Sequence, residues 1–495
     1  MQDTKTRDYI KEVLKNMPED WVNLTTHRLD IYNEKLAKVQ FLEQFETLYI
    51  NETTDTSALK VLPTAYDYIR LGHPLSSVLE WGIAKEQSLD AEFVISFQSK
   101  TVPILSILRT NLLEGKNTQI NYKGTLPADF NADIIKSVYG YKFELNKVEN
   151  ASAVAPFNGT SIYVSEDDTI GDFNLNASVD FHISLYGHLG SILIVNGEKN
   201  ASYISDIQHV RRRETVSMTP SNALVALKAF ANASTLNSTA PDVTAHKDNV
   251  STLLKDITNT SITPLVASSG LSIQYAIMMG LVNEAQDKHP NKPIKFIVPP
   301  NCYGGTNDQA RRVAACLDNV EVVDLPVDGE NDMVSSIDKV LTTIASQDAV
   351  PYIIAEIPTN PRVEVPDLQN LKAVLSKQRQ TPNGDTAIDP VFILDQTFCP
   401  NVHFLGEEDI LATVRTISYA SGSKFPSGGK CTAGYCVANN KAKALMPNIA
   451  LHLSLCDNEA TAQQYEILAA QLPSMLQRIK DAYVNTREFV TFIKE

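Results

Sequence analysis

From about residue 263 the chain alternates short apolar runs with longer amphipathic stretches. The runs are PLVAS, IKFIVPP, VEVVDLP, YIIAEIP, VFILDQT, RTISYAS and AGYCVA. They are nearly continuous in hydrophobicity, the pattern of strands buried on both faces. Between several of them lie LSIQYAIMMGLVNEAQ, TNDQARRVAACL, MVSSIDKVLTTIAS and DLQNLKAVLSKQ. These place apolar residues at intervals of three and four, which is one face of a helix. Strand and helix in alternation predict an α/β fold: a seven-stranded, mostly parallel sheet with helices on both faces.

The earlier part reads differently. Residues 1–90 suggest a helical arm, with YNEKLAKVQFLEQFETLYI showing helical spacing. Residues 91–250 are mixed and rich in Asn, Ser and Thr, an inserted or duplicated α+β region that ends near the polar stretch NASTLNSTAPDVTAHKDN. The seven-run region occupies 251–440, and 441–495 reads as the start of a further domain. A faint internal echo links FVISFQSKTVPILSIL to PLVASSGLSIQYAIMMGL, and VDFHISLYGHLGSILIV to the region around Lys424.

Composition narrows the partners. The 495 residues are 43% apolar and 20% charged, ordinary for a globular chain. A net charge of −15 argues against nucleic acid or an anionic membrane surface. The one basic run, Arg211–Arg212–Arg213, reads as a solvated face. No apolar run approaches the ~18 residues a membrane helix needs. The N-terminus MQDTKTRDYIKEVLKN is charged, without the apolar core of a secretory signal. Six cysteines without a CxxC pair suggest a reduced, cytoplasmic chain and no metal centre.

In open α/β sheets ligands bind beyond the carboxyl ends of the strands, so the residues that follow each run matter most. Ser269, Gly270 and Leu271 follow PLVAS and open a helix. Tyr303 follows IKFIVPP on the glycine-rich turn NCYGGT. Asn360 follows YIIAEIP, Asp395 follows VFIL, and Ser421, Ser423 and Lys424 follow RTISYA. Each has a plain structural use: an aspartate at a strand end caps or turns, a lysine is ordinarily a surface group, and NCYGG is a turn. FPSGGKC resembles a phosphate loop but fails its spacing, because position 424 is Lys and Cys431 follows Lys430.

Taken together, the set suits pyridoxal phosphate. Its aldehyde needs a lysine, its pyridine nitrogen a carboxylate, its phosphate a helix start with hydroxyls, and its ring an aromatic face. The sequence also resembles the fold-type-I pyridoxal-phosphate enzymes of cysteine and methionine metabolism, the group of cystathionine γ-synthase, cystathionine lyases and O-acylhomoserine sulfhydrylases. NCYGGT is similar to their Asp-x-Tyr-Gly-Gly-Thr turn and EIPTNP to their Glu-x-Pro-x-Asn-Pro segment. LDQTF, SGSKF followed by SGG, and SSGLSI resemble three further motifs, in family order.

The resemblance implies that Lys424, rather than Lys430, is the Schiff-base lysine. It implies that Asp395 pairs with the pyridine nitrogen, Tyr303 stacks on the ring and assists catalysis, and Asn360 bonds the phenolic oxygen. The Gly270 and Leu271 amides with the Ser421 and Ser423 hydroxyls would hold the phosphate, and Thr397 would line the pocket. YIRLGHP resembles the family's Tyr-x-Arg-x-Gly-Asn-Pro, making Tyr68 and Arg70 the residues that reach a neighbouring subunit's phosphate, with His73 in place of asparagine. A homodimer or homotetramer follows from that.

The implied activity is γ-elimination or γ-replacement on a sulfur amino acid or O-acylhomoserine; a methionine γ-lyase is one variant, and a non-catalytic dimerising scaffold is the alternative. Two departures stand out. The stretch between YIRLGHP and SSGLSI is far longer than the family pattern, and the part after Lys424 is much shorter. The latter suggests a fragment, or the loss of the arginine that grips the substrate carboxylate.

Overall fold

The computed structural model describes residues 2–23, 34–63, 65, 69–236, 239–329, 331–360 and 362–494. The chain forms two compact units: Met1–Pro241 with Leu455–Asn458, and Asp242–Ser454 with Glu459–Glu495.

The first unit contains helices α1 (Gln2–Asn16), α2 (Glu34–Ile50), α3 (Pro74–Gln87), α4 (Val102–Glu114), α5 (Ser202–Arg213) and α6 (Pro220–Asn232). Its sheet has six strands: β1 (Val94–Phe97), β2 (Thr118–Tyr122), β3 (Glu144–Lys147), β4 (Thr160–Glu166), β5 (Phe181–Leu185) and β6 (Ser191–Val195). They lie in the order β1-β6-β5-β4-β2-β3. Only β6 runs antiparallel to its neighbours.

One buried charge cluster organises this unit. Glu80 on α3 accepts from Lys38 Nζ at 2.7 Å and from Arg211 Nη1 at 2.7 Å, and Ser96 on β1 adds its backbone N–H at 2.9 Å and its hydroxyl at 2.8 Å. Burial by itself would raise the Glu80 pKa, yet Lys38 and Arg211 hold it down at about 2. The side chains of Glu80 and Arg211 are fully enclosed.

The second unit carries helices α7 (Thr244–Thr258), α8 (Gly270–Lys288), α9 (Gly304–Ala314), α10 (Met333–Ser346), α11 (Leu368–Leu375), α12 (Ala462–Gln471) and α13 (Met475–Lys494). The seven apolar runs become seven strands: β7 (Leu265–Ala267), β8 (Ile294–Val298), β9 (Val320–Asp324), β10 (Val350–Glu356), β11 (Val391–Asp395), β12 (Thr416–Ser421) and β13 (Gly434–Ala438). Their order is β7-β13-β12-β11-β10-β8-β9. The sheet is parallel except for β13, which is antiparallel to both neighbours.

The path of the chain sets the two faces. From β7 it crosses through α8 and α9 toward β8 and β9 at the far edge, then returns through α10 and α11 to β10 and β11. Parallel crossovers are right-handed, so this reversal puts α8 and α9 on one face and α10 and α11 on the other. The second layer is one apolar cluster, in which Ile353, Ala355, Phe392 and Leu394 meet Met333, Ile337, Leu341, Leu371 and Leu375. Alternate residues face α8: the Tyr352 hydroxyl donates to the Leu281 carbonyl at 2.9 Å and the Tyr419 hydroxyl to Gln274 Oε1 at 3.0 Å. The α/β class, the seven strands and the two-sided cover agree with the sequence pattern.

The reversal also leaves a crevice. β8 and β10 are neighbours whose onward connections leave in opposite directions, and in open sheets the ligand site opens at such a switch point.

Candidate functional site

The carboxyl ends of β7, β8, β10, β11 and β12 all contribute to one rim. At β8 the chain turns sharply through Cys302 and Tyr303, and Tyr303 becomes the N-cap residue of α9. Its backbone N–H donates to Glu356 Oε1 at 2.7 Å. Glu356, the last residue of β10, also accepts the Asn360 N–H through Oε2 at 3.1 Å. Glu356 and Asp395 are register partners across β10 and β11.

The ring of contacts continues on the other side. Asp395 Oδ1 accepts the Thr397 N–H at 2.9 Å, and Thr397 Oγ1 accepts the Ser421 N–H at 3.0 Å. Ser421 ends β12 and lies against Gly270, where an added Cβ would come within 3.0 Å of the Ser421 Cβ. At Gly305 an added Cβ would meet the Tyr303 ring at 2.6 Å and Leu271 Cδ1 at 2.9 Å. Tyr303, Glu356, Asp395, Thr397, Ser421, Gly270 and Leu271 thus form one continuous run of contacts along the strand ends.

The start of α8 forms one wall. Ser269 caps it by accepting the Ser272 N–H at 3.0 Å, and the missing side chain at Gly270 lets the backbone approach β12 closely. Such a helix start presents N–H groups to an anion. Ser423 is half-buried and Lys424 is exposed, both in the turn between β12 and β13. Gly422 and Gly434 close that turn on the α8 entry, where a Cβ on Gly434 would come within 2.3 Å of the Ser269 carbonyl oxygen.

Two acids dominate the electrostatics. Burial raises the Asp395 pKa, and the bonds from Thr397 and the Tyr419 hydroxyl only partly offset it. Glu356 is raised from 4.5 to about 7, chiefly by burial and also by Asp395, against the two N–H groups it accepts. The same burial, with Glu356 and Asp395 beside it, pushes the Cys302 thiol up to about 12. A buried carboxylate held partly in its neutral form gains from a cationic partner. These strand ends thus bring together an aromatic side chain, a buried carboxylate and a helix start with free N–H groups, with a primary amine in the turn after β12.

Of the residues singled out from sequence, Tyr303, Asn360, Asp395, Thr397, Ser421, Ser423, Lys424, Gly270 and Leu271 belong to the second unit, at the ends of its strands. Arg70 belongs to the first unit, where it is buried and its carbonyl accepts the Ser217 N–H at 2.8 Å. Tyr68 lies outside the described residues. Sequence reasoning passed over Glu356 and Tyr419. Glu356 stood inside the quoted EIPTNP segment, and its place as the final residue of a buried strand was the available signal. Tyr419 sits mid-strand, and nothing in its local sequence marks its contact with Asp395.

No family model matches the chain, and no curated protein sequence matches it. Among solved structures it is similar to cystathionine γ-lyase from Micromonospora echinospora, at TM-score 0.35 and 15% identity over 49% of this chain and 55% of that one. It is also similar to cystathionine γ-lyase from yeast, at TM-score 0.34 and 17% identity over 46% and 50%. A third is metB from Corynebacterium glutamicum, at TM-score 0.34 and 16% identity over 47% and 51%. The matched region spans about half the length of each of these proteins.

Proposed function

We propose that the second unit is a pyridoxal-phosphate site and that the chain is a transsulfuration-type enzyme, acting on sulfur amino acids or O-acylhomoserine by γ-elimination or γ-replacement. The observation that carries this reading is the run of contacts that brings Tyr303, Asp395, Thr397, Ser421, Gly270 and Leu271 together at the strand ends. When bound, the cofactor supplies an electron-withdrawing ring that stabilises negative charge at the substrate Cα.

This chain's residues do the rest. Lys424 Nζ would anchor the cofactor covalently, and as a free amine it would be the base for the substrate Cα proton and the carrier of protons along the substrate carbon chain. Asp395 would hold a proton at the pyridine nitrogen, and a cation there would favour its ionised form. Tyr303 would face the ring, Asn360 would bond the phenolic oxygen, and the α8 start with Ser421 and Ser423 would hold the phosphate.

The decisive experiment is borohydride reduction of the purified protein after incubation with pyridoxal phosphate, followed by peptide mapping. The expected result is one stable adduct on Lys424, absent in Lys424→Ala. Labelling elsewhere, or none, removes the cofactor reading and leaves a non-catalytic scaffold. Product analysis with cystathionine, methionine and O-acylhomoserine then separates elimination from replacement.

A further inference from the structure

Two carboxylates end adjacent strands at this rim, and the chemistry above uses only Asp395. Glu356 is buried beside that acid, an arrangement that costs desolvation energy. Its two oxygens are spent on two backbone N–H groups from different segments, Tyr303 at 2.7 Å and Asn360 at 3.1 Å. Those segments flank the crevice between β8 and β10, where the onward chain leaves in opposite directions. Only a carboxylate offers two equivalent acceptors at that span; a glutamine offers one and turns a donor toward the other N–H. The groups around it are Asp395 on β11, Tyr419 on β12 and Cys302 in the turn after β8.

We propose that Glu356 is a positioning residue: it ties the turn carrying Tyr303 to the segment carrying Asn360 and so sets the width of the crevice that receives the cofactor ring. This rests on reading the second unit as the cofactor site, although the tie itself exists in the bare protein.

The test is Glu356→Gln in the full chain, an isosteric change that removes a buried acid and keeps the fold. At pH 8.5, where Glu356 is ionised, hydrogen exchange of the cofactor-free protein should speed up about tenfold in peptides covering 300–307 or 357–365, with β11 and β12 unchanged, as expected for the loss of one charge-assisted bond. With pyridoxal phosphate added, the dissociation constant should rise about tenfold by the same loss, and the visible circular dichroism band should weaken while borohydride still labels Lys424.

Unchanged exchange in both segments together with an unchanged dissociation constant overturns the proposal. So does faster exchange spread over the whole second unit, which marks an acid needed only for folding. Should the wild-type chain bind no pyridoxal phosphate, the cofactor reading fails, and the exchange measurement still decides whether Glu356 ties the two segments.

Discussion

Glu356 and Asp395 stand side by side at the ends of two neighbouring parallel strands, and burial drives both carboxyls toward their neutral forms. Glu80 in the first unit is fully enclosed but has two cations against it, and its pKa moves the other way. The two acid sites therefore respond to pH with opposite signs.

In the second unit the folded chain holds a proton on Glu356 that the unfolded chain has already released between pH 4.5 and about 7. Its stability is thus greatest at the acid end of that window and falls as pH rises through 7, by on the order of 3 kcal/mol. Protection factors of β10 and β11 peptides, measured from pH 5 to 8.5, should show this fall. Glu356→Gln should flatten it, and pyridoxal phosphate should reduce it by supplying a cation.

In the first unit Glu80 contributes stability that is present above pH 4.5 and lost as pH falls toward 2. Both tryptophans, Trp21 and Trp81, lie in this unit and are buried, so their fluorescence reports on it. Glu80→Ala should cost about 3–5 kcal/mol in urea unfolding followed by that signal, because Lys38 and Arg211 lose the acid they surround. A cost under about 1 kcal/mol would place the pair among inconsequential ion pairs.

One equivalent of pyridoxal phosphate per chain is expected, although the first sheet follows the same strand path with one strand fewer. Its hairpin between β5 and β6 is the short turn 186–190, which holds His188 and no lysine. The start of α4 is already filled: the Lys100 N–H donates to Asp457 Oδ2 at 2.8 Å, and the Ser99 hydroxyl donates to the Cys456 carbonyl at 2.7 Å. Asp167, just past β4, is taken by the Ser165 and Ser184 hydroxyls at 2.6 and 2.8 Å. Alkaline release of cofactor from purified protein, set against amino-acid analysis, checks the ratio. Two equivalents would contradict it.

Gly434→Ala should destabilise the second unit by about 2–3 kcal/mol, since its Cβ would press on the Ser269 carbonyl oxygen at 2.3 Å with backbone on both sides. Gly304→Ala, where a Cβ meets nothing within 4 Å, should stay within about 0.5 kcal/mol. Calorimetry on both variants compares a crowded glycine with an open one in the same site.

Alternating apolar runs and amphipathic stretches were enough to place all seven strands of the second sheet and the four helices α8 to α11. Period-2 and period-3.6 hydrophobicity is written locally and survives in any single segment. The chemistry-bearing residues were legible for a related reason: they follow the strands directly, and strand ends in such sheets share one rim. Strand order, the antiparallel run of β13 and the first unit's sheet built from residues 94–195 were not legible. They depend on pairings between segments far apart in the chain. The meeting of Tyr303, Glu356, Asp395, Thr397 and Ser421 along one line of contacts was decided only by the tertiary fold. It arises from register between β10, β11 and β12 and from glycines whose missing side chains let two backbones meet, and neither has a signature within the reach of a local pattern.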